Sequence, residues 1–318
     1  MSNEKQVSFF KKWWICSRPF SFPASTMPVI FGTVLSVVYG EADLNPWTFL
    51  LAFLGMVILH SAANILSDIN DFSFGLDKVP TPVSGGVVRN LITLKEARNA
   101  SIFLFTIGAV VGFLLAWISG PMLLLIGVPG LFIGILYTRG GKIALKYHAL
   151  GDLAVFLNFG ILGSLGAWYV QTSTLSWIPV LWAIPMSTLV IAILHANNWR
   201  DITSDRQGHI HTIASIFGDK GSLRYYGFLI YGPFFMVLSL ILIPYFLFPD
   251  FTFMPFTFAI VILSLPMAVK LWQKALNRKQ PKNPFDFIAL DGATAQYNLA
   301  FGILCTVALV LEAVIRHL

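Results

Sequence analysis

Stretches of about twenty apolar residues recur along the whole chain, and nothing constrains its fold more. A helix rises 1.5 Å per residue, so roughly 20 apolar residues cross the hydrocarbon core of a bilayer. Nine stretches approach or exceed that length: residues 21–40, 47–69, 99–118, 121–138, 150–171, 177–199, 223–246, 252–273 and 293–315. Only 11% of the residues are charged and the mean hydropathy is +0.75, against about a quarter charged in an ordinary soluble domain. That balance excludes a disordered chain, a nucleic-acid-binding domain and a conventional cytosolic enzyme. The expected fold is all-α: a polytopic membrane helical bundle of nine transmembrane helices, forming one integral-membrane domain over residues 1–318.

The basic residues are distributed by side. Lys5, Lys11, Lys12 and Arg18 precede the first stretch, and Lys78, Arg89, Lys95 and Arg98 follow the second. Arg139, Lys142 and Lys146 follow the fourth, Arg200, Arg206, Lys220 and Arg224 the sixth, and Lys270, Lys274, Arg278, Lys279 and Lys282 the eighth. These are 20 of the 21 Lys and Arg, all on one side if nine spans alternate, while 41–46, 119–120, 172–176 and 247–251 hold none. Basic loops stay in the cytoplasm. The bias therefore predicts a multi-pass protein of the cell (inner) membrane with a cytoplasmic amino terminus and an external carboxyl terminus. It also accounts for the net charge of +6 without nucleic acid. Lys11 and Lys12 lead into a long, Pro-containing apolar segment and further spans, so no removable signal peptide is expected. FFKKWW at residues 9–14 reads as an interfacial anchor within the amino-terminal segment 1–20. Cys16 and Cys305 have no CxxC or His/Cys spacing, so neither a disulfide framework nor a zinc site is expected.

The acids are few and unevenly placed. NILSDINDFSFGLD puts Asn64, Asp68 and Asp71 at i, i+4 and i+7 at the cytoplasmic end of the second span, within roughly 60° of one helix face. NNWRDITSDRQG repeats the step at the end of the sixth, with Asn197, Asp201 and Asp205 at i, i+4 and i+8. Four spans separate the two, as in an internal duplication. Carboxylates near a membrane interior are costly and need partners. Two sets of hard oxygen ligands at one mouth suit Mg²⁺, which takes one or two carboxylates and completes its shell with water and phosphate. Lys78, Arg139, Lys142, Lys146, Arg200 and Arg206 are placed to meet the remaining phosphate charge. The long loops at about 70–98, 139–149 and 200–222 are therefore expected to carry the chemistry.

These motifs resemble those of the UbiA superfamily of intramembrane prenyltransferases, over nearly the whole chain. RPFSFPASTMPVIFGT (Arg18 to Thr33) is similar to its opening segment, and NILSDINDFSFGLD to its first metal motif. LYTRGGKIALKYHALGDLAVFLNFG (Leu136 to Gly160), WYVQT, NNWRDITSDRQGHIHTIASIFG and TAQYNLAFGIL look like the branch that prenylates 1,4-dihydroxy-2-naphthoate. Two features depart from it: VPTPVSGGVVRN (Val79 to Asn90) has no basic residue before Arg89, and His209 and His211 stand where Lys or Arg is frequent.

The resemblance implies that Asn64, Asp68, Asp71, Asn197, Asp201 and Asp205 hold Mg²⁺ and a prenyl diphosphate. Lys146, Arg200 and Arg139 would contact the diphosphate, and Tyr137 would lie beside the allylic carbon. Asp77 and Asp152 belong to the matched motifs without a fixed role. The implied reaction is prenylation of an aromatic acceptor, dihydroxynaphthoate with loss of carbon dioxide, giving demethylmenaquinone. Alternative acceptors are 4-hydroxybenzoate, homogentisate, chlorophyllide and a glycerol ether. From another class, an ion-coupled secondary transporter also carries intramembrane acids, but nearer the midplane. His60 and His195 read as packed, hydrogen-bonded residues, His209 and His211 as part of a solvated loop, and Phe234 to Phe248 as lipid-facing packing.

Overall fold

The computed structural model describes residues 7–73, 75, 85–138, 144–247, 253–277 and 288–316. Among these the chain is helical, with no strand; a single backbone bridge joins His148 and His211. The helices are α1 (Phe9–Ser17), α2 (Pro23–Tyr39), α3 (Pro46–Ser73), α4 (Leu94–Ser119), α5 (Met122–Leu136), α6 (Gly151–Val155), α7 (Gly163–Thr172), α8 (Ile178–Trp182), α9 (Ile184–Arg200), α10 (Ile202–Gln207), α11 (Ile213–Leu247), α12 (Leu265–Leu276) and α13 (Ile288–Arg316). A π-helical turn, Phe156–Leu162, joins α6 to α7, and 3₁₀ turns, Phe256–Ser264, lead into α12.

Among the described residues, seven segments are long and apolar enough to cross a bilayer: Pro19–Tyr39, Pro46–Ser73, Leu94–Ser119, Gly151–Thr172, Ile213–Phe246, Phe256–Leu276 and Leu290–Arg316. The expected count of nine spans is not confirmed by length and composition. The fourth stretch forms only the 15 residues of α5, and the sixth is broken at Ala183 into α8 and α9. Pro185 lies within the first turn of α9, and without an N–H it cannot continue the ladder from α8. Both short segments nevertheless join opposite ends of the bundle. Leu123 packs with Tyr169 and Val170 at one end, while the Tyr137 carbonyl accepts the Lys146 N–H (3.1 Å) at the other. Trp182 meets Tyr39 at the first end (4.8 Å between rings), and Arg200 reaches Asp291 at the second.

The end bearing the lysine-free loops is tied by polar contacts. Asn45 and Gln171 exchange hydrogen bonds, Ser119 donates to the Val170 carbonyl (3.0 Å), and the Arg316 guanidinium stacks 4.0 Å over Tyr39. Phe31, Leu35, Met186, Leu189, Leu229, Tyr297 and Phe301 build the main core between α2, α9, α11 and α13. Phe103, Phe113, Trp117, Leu125 and Phe132 of α4 and α5 are exposed, an apolar surface suited to lipid rather than water. In the Phe234 to Phe248 stretch, Phe235, Tyr245 and Phe246 face outward, but Phe234 packs on Phe301. Phe248 lies outside the described residues. Phe9, Phe10 and Trp14 of α1 are exposed as an interfacial anchor requires.

Candidate active site

The first acidic cluster lies on the uninterrupted α3. Asp68 is 2% exposed; one of its oxygens accepts the Val87 N–H (2.8 Å), and the other is buried with no partner among the described residues. The turn at residues 85–92 closes over it. A Cβ on Gly85 would land on the Asp68 carboxylate, and one on Gly86 would meet the Cys16 sulfur, so glycine is what lets this backbone descend onto α3. Asp71 forms an ion pair with Lys146, and Ser67 links the two, accepting from Lys146 (3.1 Å) and donating to Asp71 (3.2 Å). The Asn64 amide nitrogen is held by the amino-terminal segment. It donates to the Ser17 carbonyl (2.9 Å) and to Ser21 (3.3 Å), fastening the end of α1 to α3.

The second cluster is not one helical face. α9 ends at Arg200, Asp201 sits at the junction (φ −95°, ψ 10°), and Asp205 belongs to α10. The i+4 step survives because Asp201 N–H still reaches the Asn197 carbonyl (3.3 Å) and Asp205 N–H the Asp201 carbonyl (2.9 Å). Arg200 grips both Asp201 oxygens through Nε (3.0 Å) and Nη2 (2.9 Å), and its Nη1 donates to Asp291 (2.8 Å). Asp205 accepts from Thr212 Oγ1 (3.3 Å). Burial, with the neighbouring charges of Asp201 and Asp71, pushes the Asp205 carboxyl up to about 8 against the pull of Thr212 and Lys146. The Lys146 strap, paired with Asp71, is joined by backbone hydrogen bonds to the strap that follows Asp205, which brings the two clusters to one end of the bundle.

Arg206 is used structurally, donating to the Ser215 carbonyl (2.9 and 3.3 Å) where Gly218 (φ 66°) lets the chain turn into the long part of α11. Asp77, Lys78, Arg139 and Lys142 lie outside the described residues. Among the described residues no three His, Cys, Asp or Glu side chains converge as a ready-made metal cage. The arrangement offers paired carboxylates, a buried carboxylate oxygen without a partner, and cations beside them. Such a set fits a hard divalent cation whose shell is completed by phosphate, and not a softer metal held by protein alone.

The histidines behave as expected. His60 is buried, bonded to Ser25 (2.8 Å) and Ser21 (3.3 Å) and packed between Phe22 and Phe159; His195 bonds the Ser222 carbonyl (3.2 Å). His209 and His211 are exposed, and the backbone of His211, not its ring, forms the bridge to 147–149. Asp152 is buried and accepts from Tyr225 (3.2 Å). Sequence reasoning missed Asp291, Tyr225, Thr212 and Ser67. Only Asp291 left a signal there, as a lone acid at the start of an otherwise apolar final span.

A family model described as the UbiA prenyltransferase family matches residues 25–290. The chain is 31% identical over 313 residues to UbiA prenyltransferase domain-containing protein 1 of Xenopus tropicalis, covering 96% of this chain and 85% of that protein. It is 29% identical over 300 residues to 1,4-dihydroxy-2-naphthoate octaprenyltransferase of Bacillus subtilis (strain 168), covering 94% and 92%. Among solved structures, the apo UbiA homolog from Aeropyrum pernix K1 superposes with a TM-score of 0.64 at 17% identity, covering 93% of this chain and 98% of that one. A UbiA homolog from Archaeoglobus fulgidus bound to GPP and Mg²⁺ gives 0.59 at 14%, covering 93% and 99%. On this family match and this coverage, the chain belongs to the UbiA prenyltransferase family and is a transferase.

Proposed function

We propose that this chain transfers a polyprenyl group from a prenyl diphosphate to 1,4-dihydroxy-2-naphthoate, with loss of carbon dioxide, in a Mg²⁺-dependent step of quinone synthesis. The observation that carries the reading is the pair of acid–base couples at one end of the bundle, Lys146–Asp71 and Arg200–Asp201, electrostatically joined through Asp205. The Archaeoglobus homolog bound to GPP and Mg²⁺ supports the donor and the cation. The Bacillus relative and the Tyr137 to Asp152 segment support the acceptor.

In this reading Asp68, Asp71, Asp201 and Asp205, with Asn64 and Asn197, hold the cation, and Lys146, Arg200 and Arg139 hold the diphosphate. Mg²⁺ when bound supplies positive charge against the departing diphosphate. Lys146 and Arg200 add fixed charges that need no reorganisation as the leaving group departs. The bond between the allylic carbon and the diphosphate oxygen breaks, a bond from that carbon to the acceptor ring forms, and the ring–carboxylate bond breaks, its electron pair returning to the ring as carbon dioxide leaves. Tyr137, packed against the cluster that holds Val155, Val190 and Ile193, presents a ring face to the developing allylic cation and helps keep water away. The transporter reading gives way to the family assignment, and the acids lie at a mouth rather than at mid-bundle.

Membranes containing the protein are incubated with Mg²⁺, a labelled prenyl diphosphate and a panel of aromatic acids, and products are identified by mass. The expected product has lost the acceptor carboxylate. A product that keeps it, or turnover with 4-hydroxybenzoate alone, moves the chain to another branch. In this reading the mouth faces the cytoplasm, residues 1–318 form one domain, and the loops at about 70–98, 139–149 and 200–222 carry the catalysis. Reporter fusions at the two termini are expected on opposite sides of the cell membrane, and both on one side would overturn the nine-segment alternation.

A further inference from the structure

Asp291 is 1% exposed, at the start of a span whose neighbouring residues are apolar. Burying a carboxylate there is costly unless it is paired. Its pairing is complete: Oδ1 accepts the Gly292 N–H (2.8 Å) and Oδ2 accepts Arg200 Nη1 (2.8 Å). Arg200 itself is only 9% exposed in its side chain and divides its planar fork between two acids, one edge on both oxygens of Asp201 and the remaining nitrogen on Asp291. Asp201 is far more open, at 32%. The triad therefore has one acid sealed in the bundle and one facing the mouth, with a single arginine between them. Resting on the reading above, we propose that Asp291 is a positioning residue, which retains Arg200 so that the Asp201 carboxylate is shared with a divalent cation instead of being held by the guanidinium alone.

The physical reason is competition for one carboxylate. A guanidinium whose only counter-ion is Asp201 concentrates its charge and its hydrogen bonds there, and opposes any second cation at that group. A permanent second counter-ion divides the interaction and anchors Arg200 against α13. The mouth-facing acid can then change partner without leaving a buried cation uncompensated, which is the expensive outcome for such a pair.

The full-length protein in detergent is titrated with Mn²⁺ alone, and bound cation is read by electron paramagnetic resonance, independently of turnover. Asp201→Asn first tests the underlying reading: unchanged Mn²⁺ affinity removes Asp201 from the cation site, and both the reading and the inference fall. With Asp201 established, Asp291→Asn is expected to weaken Mn²⁺ binding at least about fivefold, and Asp291→Glu, which keeps the counter-ion, less than about twofold. In an Arg200→Gln background the same Asp291→Asn change is expected to alter affinity less than about twofold, because no guanidinium remains to be held. An equal loss in both backgrounds would make Asp291 a source of field only and overturn the positioning role while sparing Asp201. Unaltered affinity in Asp291→Asn alone overturns it as well. Thermal unfolding of each variant separates a lost fold from a lost site, and Asp291→Glu keeps the test open if the Asn variant does not fold.

Discussion

Asp68→Ala and Asp201→Ala are each expected to lower turnover at least about a hundredfold, equivalent to about 3 kcal/mol of transition-state stabilisation, with the double variant scarcely slower than either. Groups that share one charge load fail together rather than additively. Asp68 is sealed under residues 85–92 with an oxygen left over for a ligand, and Asp201 lies across the mouth within the reach of Arg200. Asp43, exposed at the opposite end, tolerates Ala and serves as the control. Turnover is measured with labelled prenyl diphosphate across a Mg²⁺ series, alongside thermal unfolding, since each deletion also strips a cation of its partner. Folded single variants that both keep near-normal Mg²⁺-dependent turnover would remove the paired clusters from the mechanism.

Gly85→Val has a comparable effect by a different route. A Cβ at that position lands on the Asp68 carboxylate, which the Val87 N–H holds in place, so either the turn lifts or Asp68 rotates. Overpacking of this kind costs about 1–3 kcal/mol of stability, and a displacement of about 1 Å in a reacting group costs about a hundredfold in rate. The expected result is a folded protein with turnover reduced about a hundredfold. Gly112→Ala, whose new Cβ meets nothing within 4 Å, leaves both unfolding temperature and rate close to the parent. Full activity in Gly85→Val would mean that the close approach of this turn to Asp68 has no part in catalysis.

Spacing along the chain made the first cluster legible, because Asn64, Asp68 and Asp71 sit on a helix with no interruption and their common face follows from 3.6 residues per turn. The same arithmetic misjudged the second cluster. It takes the helix for granted through Asp205, whereas α9 stops at Arg200 and α10 restarts the count. Periodicity also assigns a face without saying which neighbour it meets. It therefore could not show that the Asn64 amide nitrogen is held by Ser17, that Arg206 is spent on Ser215, or that Arg200 reaches an acid 91 residues away. Averaged hydropathy makes residues 177–199 one continuous span, whereas the structure divides them into α8 and α9. The break at Ala183 was foreshadowed by Pro185, a local signal that an average over twenty residues dilutes.

The backbone bridge between the two loops has a consequence for how the site opens. Ala149 N–H reaches the His211 carbonyl (2.5 Å) and His211 N–H the Tyr147 carbonyl (3.1 Å), so the strap that carries Lys146 is sewn to the strap that follows Asp205. Neither can fray without the other, and the two form one cooperative unit in the sense that native-state hydrogen exchange defines. Half-open states, with the lysine withdrawn and the carboxylate still in place, are suppressed. Lys146 and the segment after Asp205 are thereby brought to the mouth, and withdrawn from it, together.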